Sequence, residues 1–243
     1  MLTATESTAE NIAETSAATS ARLSPSIAPK IISRKLTLPS GNPITLTVDT
    51  DYPRGGNIKI ALGMKEPEAF SIKLRNPEWS KTTEVRFNGT PCEVSDGYIT
   101  LDGEFASGDV IELSLDMRVQ AILPIPYGEQ ILMNEVIWGA NYMISTFDRE
   151  DPIAHRHIAL RRGPVMLAQE NRLGYSVDEP VDIAVNPDGY VDAELCENLS
   201  PYKCILEAKV PLSDGSTMLV TDYASAGKLW NEESKMAVWM LTK

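Results

Sequence analysis

Between residues 31 and 127 apolar and polar side chains alternate with a period of two, and no other feature restricts the fold as strongly. Ile58, Ile60 and Leu62 alternate with Asn57, Lys59 and Ala61; Phe70, Ile72 and Leu74 alternate with Ser71, Lys73 and Arg75. Ile111, Leu113 and Leu115 are spaced by Glu112 and Ser114. Successive side chains of a strand point to opposite faces, so each set offers one face to a core and one to water. That is the pattern of half-buried antiparallel strands. Turn residues punctuate it. Asn88-Gly89, between residues 85–87 and 92–94, fits a two-residue hairpin. Asp96-Gly97, Asp102-Gly103 and Ser107-Gly108-Asp109 mark further turns. About eight short strands without a helical period predict a β-sandwich.

The rest of the chain divides around this block. Residues 1–30 hold seventeen Ala, Ser or Thr, and no aromatic precedes Tyr52. Too little apolar surface is present there to offset the entropy of ordering, so a flexible tail is expected, disordered or weakly helical around residues 8–21. Residues 128–154 break the alternation but carry Trp138, Tyr142 and Phe147, which suggests a packed connection. Strand-like runs resume from His155 to the end, separated by Pro180, Pro187-Asp188-Gly189, Pro201 and Asp214-Gly215. Trp239, within an apolar run over residues 236–241, suggests a last strand buried on both faces. The expected fold is therefore all-β: a tail over residues 1–30, a first sandwich over 31–127, a connection over 128–154 and a second sandwich over 155–243. Both sandwiches are antiparallel and jelly-roll-like.

Charge narrows the functional classes. With 22 basic and 34 acidic side chains, the formal net charge is −12. Nucleic-acid binders need concentrated Lys and Arg to displace counterions, and anionic membranes need the same, so neither is an expected partner. No run reaches the ~18 apolar residues of a membrane helix. No basic segment followed by an apolar one opens the chain, and three cysteines, Cys92, Cys196 and Cys204, form no CxxC pair. Free thiols and a cytoplasmic location are the expectation.

Candidate sites are few. His155 and His157 are the only histidines; two apart on a strand they share a face about 7 Å apart, a spacing that suits zinc. Asp148, Glu150 or Asp151 could supply a third ligand, yet none stands out, and hydrogen bonding at a domain junction is the favoured reading. No cofactor is expected. Glycoside hydrolysis needs two carboxyl groups across the scissile bond, but among 34 acidic residues pairs such as Glu232-Glu233 or Asp148 with Glu150 arise by chance. No nucleophile elbow, phosphate loop or dinucleotide fingerprint is present. Of the four tryptophans, Trp79 and Trp230 lie in turns, where a ring either stacks on a sugar or caps the edge of a core. Arg161-Arg162 could bind an anion; pairing with carboxylates is the favoured reading.

Several segments, in order, resemble the C-terminal β-sandwich region of the β-L-arabinofuranosidase family of glycoside hydrolases, family 127. Asp51-Tyr52-Pro53-Arg54-Gly55-Gly56 is similar to that family's Asp-Tyr-Pro-Trp-x-Gly turn, and FSIKLRNPEWS (residues 70–80) to its Leu-Arg-Ile-Pro-x-Trp segment. HIALRRGPVML (residues 157–167) resembles its Ala-Leu-x-Arg-Gly-Pro strand, and the similarity runs over about residues 35–243. Arg54 replaces the family's Trp, and Asn76 replaces an aliphatic residue before Pro77. The resemblance implies that catalysis belongs to an (α/α)₆ barrel, with a glutamate acid/base and a zinc-bound cysteine nucleophile. None of that barrel matches here, and Cys92, Cys196 and Cys204 match no metal motif of the family, so no catalytic residue is carried over.

The expectation is thus a non-catalytic accessory portion of a glycoside hydrolase. Its partners would be a catalytic barrel chain or a second copy, meeting at an exposed barrel-docking face, with plant-type glycans also implied. Three other readings stay open: one half of a split hydrolase, a free-standing carbohydrate-binding module using Trp79 or Trp230, and a truncated product without a function of its own.

Overall fold

The computed structural model describes residues 2–3, 30–124, 156–197, 199–200, 202–228 and 230–243. The chain divides into two compact units, Met1–Met117 and Arg118–Lys243. The connection expected over residues 128–154 and most of the expected tail lie outside the described residues.

The first unit runs β1 (Leu2–Thr3), β2 (Lys30–Thr37), β3 (Pro43–Thr50), β4 (Asn57–Met64), β5 (Glu68–Asn76), β6 (Glu84–Phe87), β7 (Thr90–Pro91), β8 (Gly97–Phe105) and β9 (Val110–Ser114). Six strands form one antiparallel sheet in the order β2-β3-β4-β9-β6-β7, and three form another, β1-β5-β8. The alternation explains why the two sheets close on each other. Ile44, Ile60, Leu62, Val85 and Ile111 from the first sheet and Ile72, Leu74, Ile99 and Phe105 from the second make one buried cluster. The opposite faces carry charge: Asp49, Lys59, Glu112 and Arg86, all exposed, alternate in sign across four neighbouring strands. Leu2 and Thr3 pair with Leu74 and Lys73 and supply the third strand of the smaller sheet.

Two turns hold their expected form. Asn88 and Gly89 both take positive φ, 49° and 79°, as a hairpin between β6 and β7 requires. Its second strand is only Thr90–Pro91, ahead of residues 92–94, which continue outside any strand. In the Asp51–Gly56 turn the glycines are demanded by close approach. A Cβ on Gly55 would stand 2.2 Å from Asp51 Oδ1, and one on Gly56 would stand 2.3 Å from the Leu115 carbonyl oxygen. Asp102-Gly103, expected as a turn, instead continues β8. Ser71 donates to the Asp102 carboxylate from the neighbouring strand, and Gly103 stands opposite Phe70.

Among the described residues the second unit comprises β10 (Val119–Ile122), β11 (His157–Arg162), β12 (Val165–Glu170), β13 (Tyr190–Val191), β14 (Glu194–Cys196), β15 (Glu207–Pro211), β16 (Thr217–Asp222), β17 (Met236–Ala237) and β18 (Met240–Leu241), with a 3-10 turn at Asn171–Leu173. Val119–Ile122, within the stretch read above as the first sandwich, pairs along β11 here. Hydrogen bonding follows one antiparallel path, β13-β10-β11-β12-β16-β15-β14, with β17 on β12 and β18 on β11. Only Asp192 and Ala193 separate β13 from β14, so the two ends of the path meet and the strands wrap one core. Val119, Leu160, Leu167, Val191, Val210, Val220 and Met240 all belong to it. The single last strand expected over residues 236–241 is two short ones with different partners. Where the chain passes between them Trp239 is 46% exposed, not buried.

Candidate functional site

At the end of the smaller sheet of the first unit, β5 runs out and β8 begins, and a groove of about 720 Å³ opens beside the loop that joins β5 to β6. Arg75 and Tyr98 stand opposite each other in register, on the face turned away from Leu74 and Ile99. The loop wall is fixed by hydrogen bonds. Thr83 Oγ1 donates to Asn76 Oδ1 at 2.8 Å, and Asn76 Nδ2 donates to the Ser95 carbonyl at 3.0 Å. Ser80 Oγ, buried and 2.6 Å from the Thr83 hydroxyl, accepts the Asp116 N–H at 2.8 Å. On the far wall Ser95 Oγ donates to the Tyr98 carbonyl at 2.7 Å. Arg75, Glu78, Lys81 and Asp96 stand on the rim, and Tyr98 is 46% exposed.

Trp79 sits in this loop but does not line the groove; half-buried, it packs on the core of the first unit. Of the two possibilities for its ring, the core-edge cap is the one observed. Trp230, in the second unit, is 58% exposed, with its six-membered ring laid against Gly227. A Cβ on Gly227 would meet Trp230 Cε3 at 3.0 Å, and the residue has φ +76°. In the sequence Tyr98 reads only as one polar-faced position of an alternating strand.

The second unit contains a buried polar centre that no local pattern in the sequence announces. Glu170, at the end of β12, has no solvent exposure. Its Oε2 accepts the Tyr202 hydroxyl and the Gly227 N–H (3.1 Å), and its Oε1 accepts Arg172 Nε. The guanidinium lies 5.3 Å from the Tyr202 ring centre and donates to the Lys228 carbonyl at 2.8 Å. Burial, and then the hydrogen bond to Glu170, push the Tyr202 phenol far above its ordinary value. Glu207, also buried, behaves differently. Burial works to raise its pKa, but donation from the Ser200 hydroxyl and from the Leu199 and Ser200 N–H groups outweighs this and holds it below the usual value. Asp222 Oδ2 accepts the N–H groups of Ile205 and Leu206 at 2.9 and 3.1 Å. These carboxylates tie loops to strands. Glu170 in particular is closed off from any substrate, because its donors surround it and water cannot reach it.

The remaining candidates separate. His157 lies half-buried in β11, opposite Leu241. His155, Asp148, Glu150 and Asp151 lie outside the described residues, among which no group of three or more His, Cys, Asp or Glu could hold a metal ion. Arg161 donates to the Gln120 amide oxygen at 2.6 Å, an amide partner from the adjacent strand where a carboxylate was expected. The cysteines are free thiols, and burial raises the pKa of Cys204. Glu232-Glu233 lies exposed in the loop before β17.

Over the described residues, fold and site together define an all-β protein of antiparallel strands whose buried Glu170 and Glu207 accept hydrogen bonds from its own side chains and backbone. Residues 30–117 match the family model of the GH127 β-L-arabinofuranosidase middle domain. No curated protein matches the chain. Among solved structures, the GH127 β-L-arabinofuranosidase of Geobacillus stearothermophilus T6 is similar with a TM-score of 0.61 at 17% identity, over 87% of this chain and 32% of that one. A second GH127 β-arabinofuranosidase gives 0.61 at 18% identity, over 88% and 34%. A structure described as a glycoside hydrolase gives 0.61 at 21% identity, over 87% and 34%. The chain therefore resembles the β-sandwich region of the GH127 family, as its motifs implied, and spans about a third of the length of the structures it matches. Among the described residues no helix is long and apolar enough to cross a membrane.

Proposed function

We propose that this chain is a non-catalytic accessory portion of a glycoside hydrolase resembling the β-L-arabinofuranosidases, two β units that support a catalytic barrel carried elsewhere. The observation that carries this reading is the pairing of a middle-domain match over residues 30–117 with a fold shared by only a third of each similar enzyme. The state of the acids supports it. Glu170 and Glu207 are buried and occupied by the protein's own donors, so neither is poised as a general acid or nucleophile.

A supporting part needs a surface for its partner. Ile31 and Ile32 project to opposite faces of the edge strand β2, and both are exposed. The test is to mix the purified chain with a separately produced GH127 barrel and follow the mixture by sedimentation. A complex is expected; free migration of both components at micromolar concentration would overturn the supporting role.

A further inference from the structure

The groove lined by Arg75 and Tyr98 has a chemistry that the supporting role does not use. We propose that it is a saccharide-binding cleft of the first unit, with the Tyr98 ring as its stacking face and Arg75, Lys81, Glu78 and Asp96 as its hydrogen-bonding groups. Its volume, about 720 Å³, falls within the range of small-molecule sites.

The groove is preorganised. Arg75 and Tyr98 are held opposite each other by the β5–β8 ladder, and hydrogen bonds through Asn76, Thr83, Ser80 and Ser95 fix the walls. A ring on rigid backbone loses little entropy when a ligand settles on it. The binding groups are also available. Among the described residues the side chains of Arg75, Glu78, Lys81 and Asp96 have no hydrogen-bond or ion-pair partner, while the Tyr98 ring is open to solvent.

Charge selects the class of ligand. Two cations and two carboxylates share the rim, so their formal charges cancel. An anionic ligand would face Glu78 and Asp96, and a cationic one would face Arg75 and Lys81. A neutral polyol suits both signs, because each hydroxyl donates to a carboxylate or accepts from a guanidinium or ammonium. The apolar C–H face of a sugar ring then lies on Tyr98, with the exposed Val94 beside it. A second groove of the first unit, about 560 Å³ over Asp49, Lys59, Arg86 and Glu112, has mixed charge but no aromatic wall. It lacks the stacking half of the recognition.

The experiment is a calorimetric titration of the full chain with neutral arabino-, xylo- and cello-oligosaccharides, and with an oligogalacturonate as the charged arm. At least one neutral oligosaccharide should bind with Kd of about 1 mM or tighter. Tyr98→Ala and Arg75→Ala should each weaken it by about five- to tenfold, while Tyr98→Phe and Trp230→Ala leave it unchanged. Both altered positions are solvent-facing, and an unchanged melting midpoint confirms folding; if Tyr98→Ala alone is unstable, Arg75→Ala decides. Absence of binding by any neutral oligosaccharide at about 10 mM, preference for the oligogalacturonate, or wild-type binding by the decisive variant would overturn the proposal. The titration needs no barrel, so its failure leaves the accessory reading standing, and failure of barrel association leaves the cleft standing.

Discussion

Tyr202 donates its hydroxyl hydrogen bond to Glu170, a carboxylate with no solvent exposure that lies 32 positions earlier in the chain. The bond joins the loop after β14 to the end of β12. Gly227, 57 positions beyond Glu170, donates to the same oxygen, so one carboxylate gathers three distant segments. Removing the Tyr202 hydroxyl would leave a buried charge short of a donor.

Tyr202→Phe is accordingly expected to destabilise the second unit by about 1–3 kcal/mol. Glu170→Ala is expected to cost more, about 3–5 kcal/mol, since Arg172 then keeps its charge in a nearly closed site. Urea unfolding of the variants and the unaltered chain, followed by circular dichroism, measures both. Equal midpoints for Tyr202→Phe and the unaltered chain would show that the bond contributes nothing.

Acid should loosen the same unit through Glu207. Its pKa is lowered in the folded state, from an ordinary 4.5, so the folded protein binds that proton less tightly than the unfolded chain does. The contribution is complete above pH 4.5 and disappears as pH falls through the lowered folded value. Denaturation midpoints collected between neutral pH and pH 3 should drop over that window, and Glu207→Gln should drop less steeply. An identical slope for the variant would remove Glu207 from the account.

The first unit offers a matched pair of glycine substitutions. Gly56→Ala drives a methyl group to 2.3 Å from the Leu115 carbonyl oxygen, whose own N–H donates to the Gly56 carbonyl at 3.0 Å. Backbone must move, and a loss of more than about 2 kcal/mol is expected. Gly103→Ala meets nothing within 4 Å and should stay within about 0.5 kcal/mol of neutral. Thermal midpoints of the two variants, compared directly, check this contrast.

Two tryptophans separate packing from exposure. Trp79→Ala removes a ring packed on the core of the first unit and should lower stability by about 3 kcal/mol. Trp230→Ala removes a ring more than half in solvent and should cost under about 1 kcal/mol. Chemical denaturation of each gives the answer, and a reversed order would contradict the assignment of their environments.

What could be read from the sequence followed from local chemistry. Ile58-Ile60-Leu62 and Phe70-Ile72-Leu74 declare a strand and its buried face within a few residues, and Asn88-Gly89 declares a turn because few residues tolerate positive φ. The Asp51–Gly56 turn was visible as a motif, although its reason, the approach of Leu115 to Gly56, spans nearly sixty positions of chain. The buried Glu170 was not legible. A glutamate ending the run Val165–Glu170 reads as a strand leaving the core for water, and its partners Tyr202 and Gly227 are far away in sequence. Trp239 misled for the opposite reason: its neighbours are apolar, but a change of strand partner between Ala237 and Met240 turns it outward. Tyr98 is ordinary in sequence and becomes distinctive only beside Arg75 at the mouth of a groove.

The central claim is that this chain supports catalysis without performing it. Its most direct test is hydrolysis of an aryl β-L-arabinofuranoside by the purified full chain, assayed across gel-filtration fractions. The account predicts release of the aryl alcohol no faster than in buffer in every fraction holding the chain. Turnover that tracks the chain's own elution peak would contradict it.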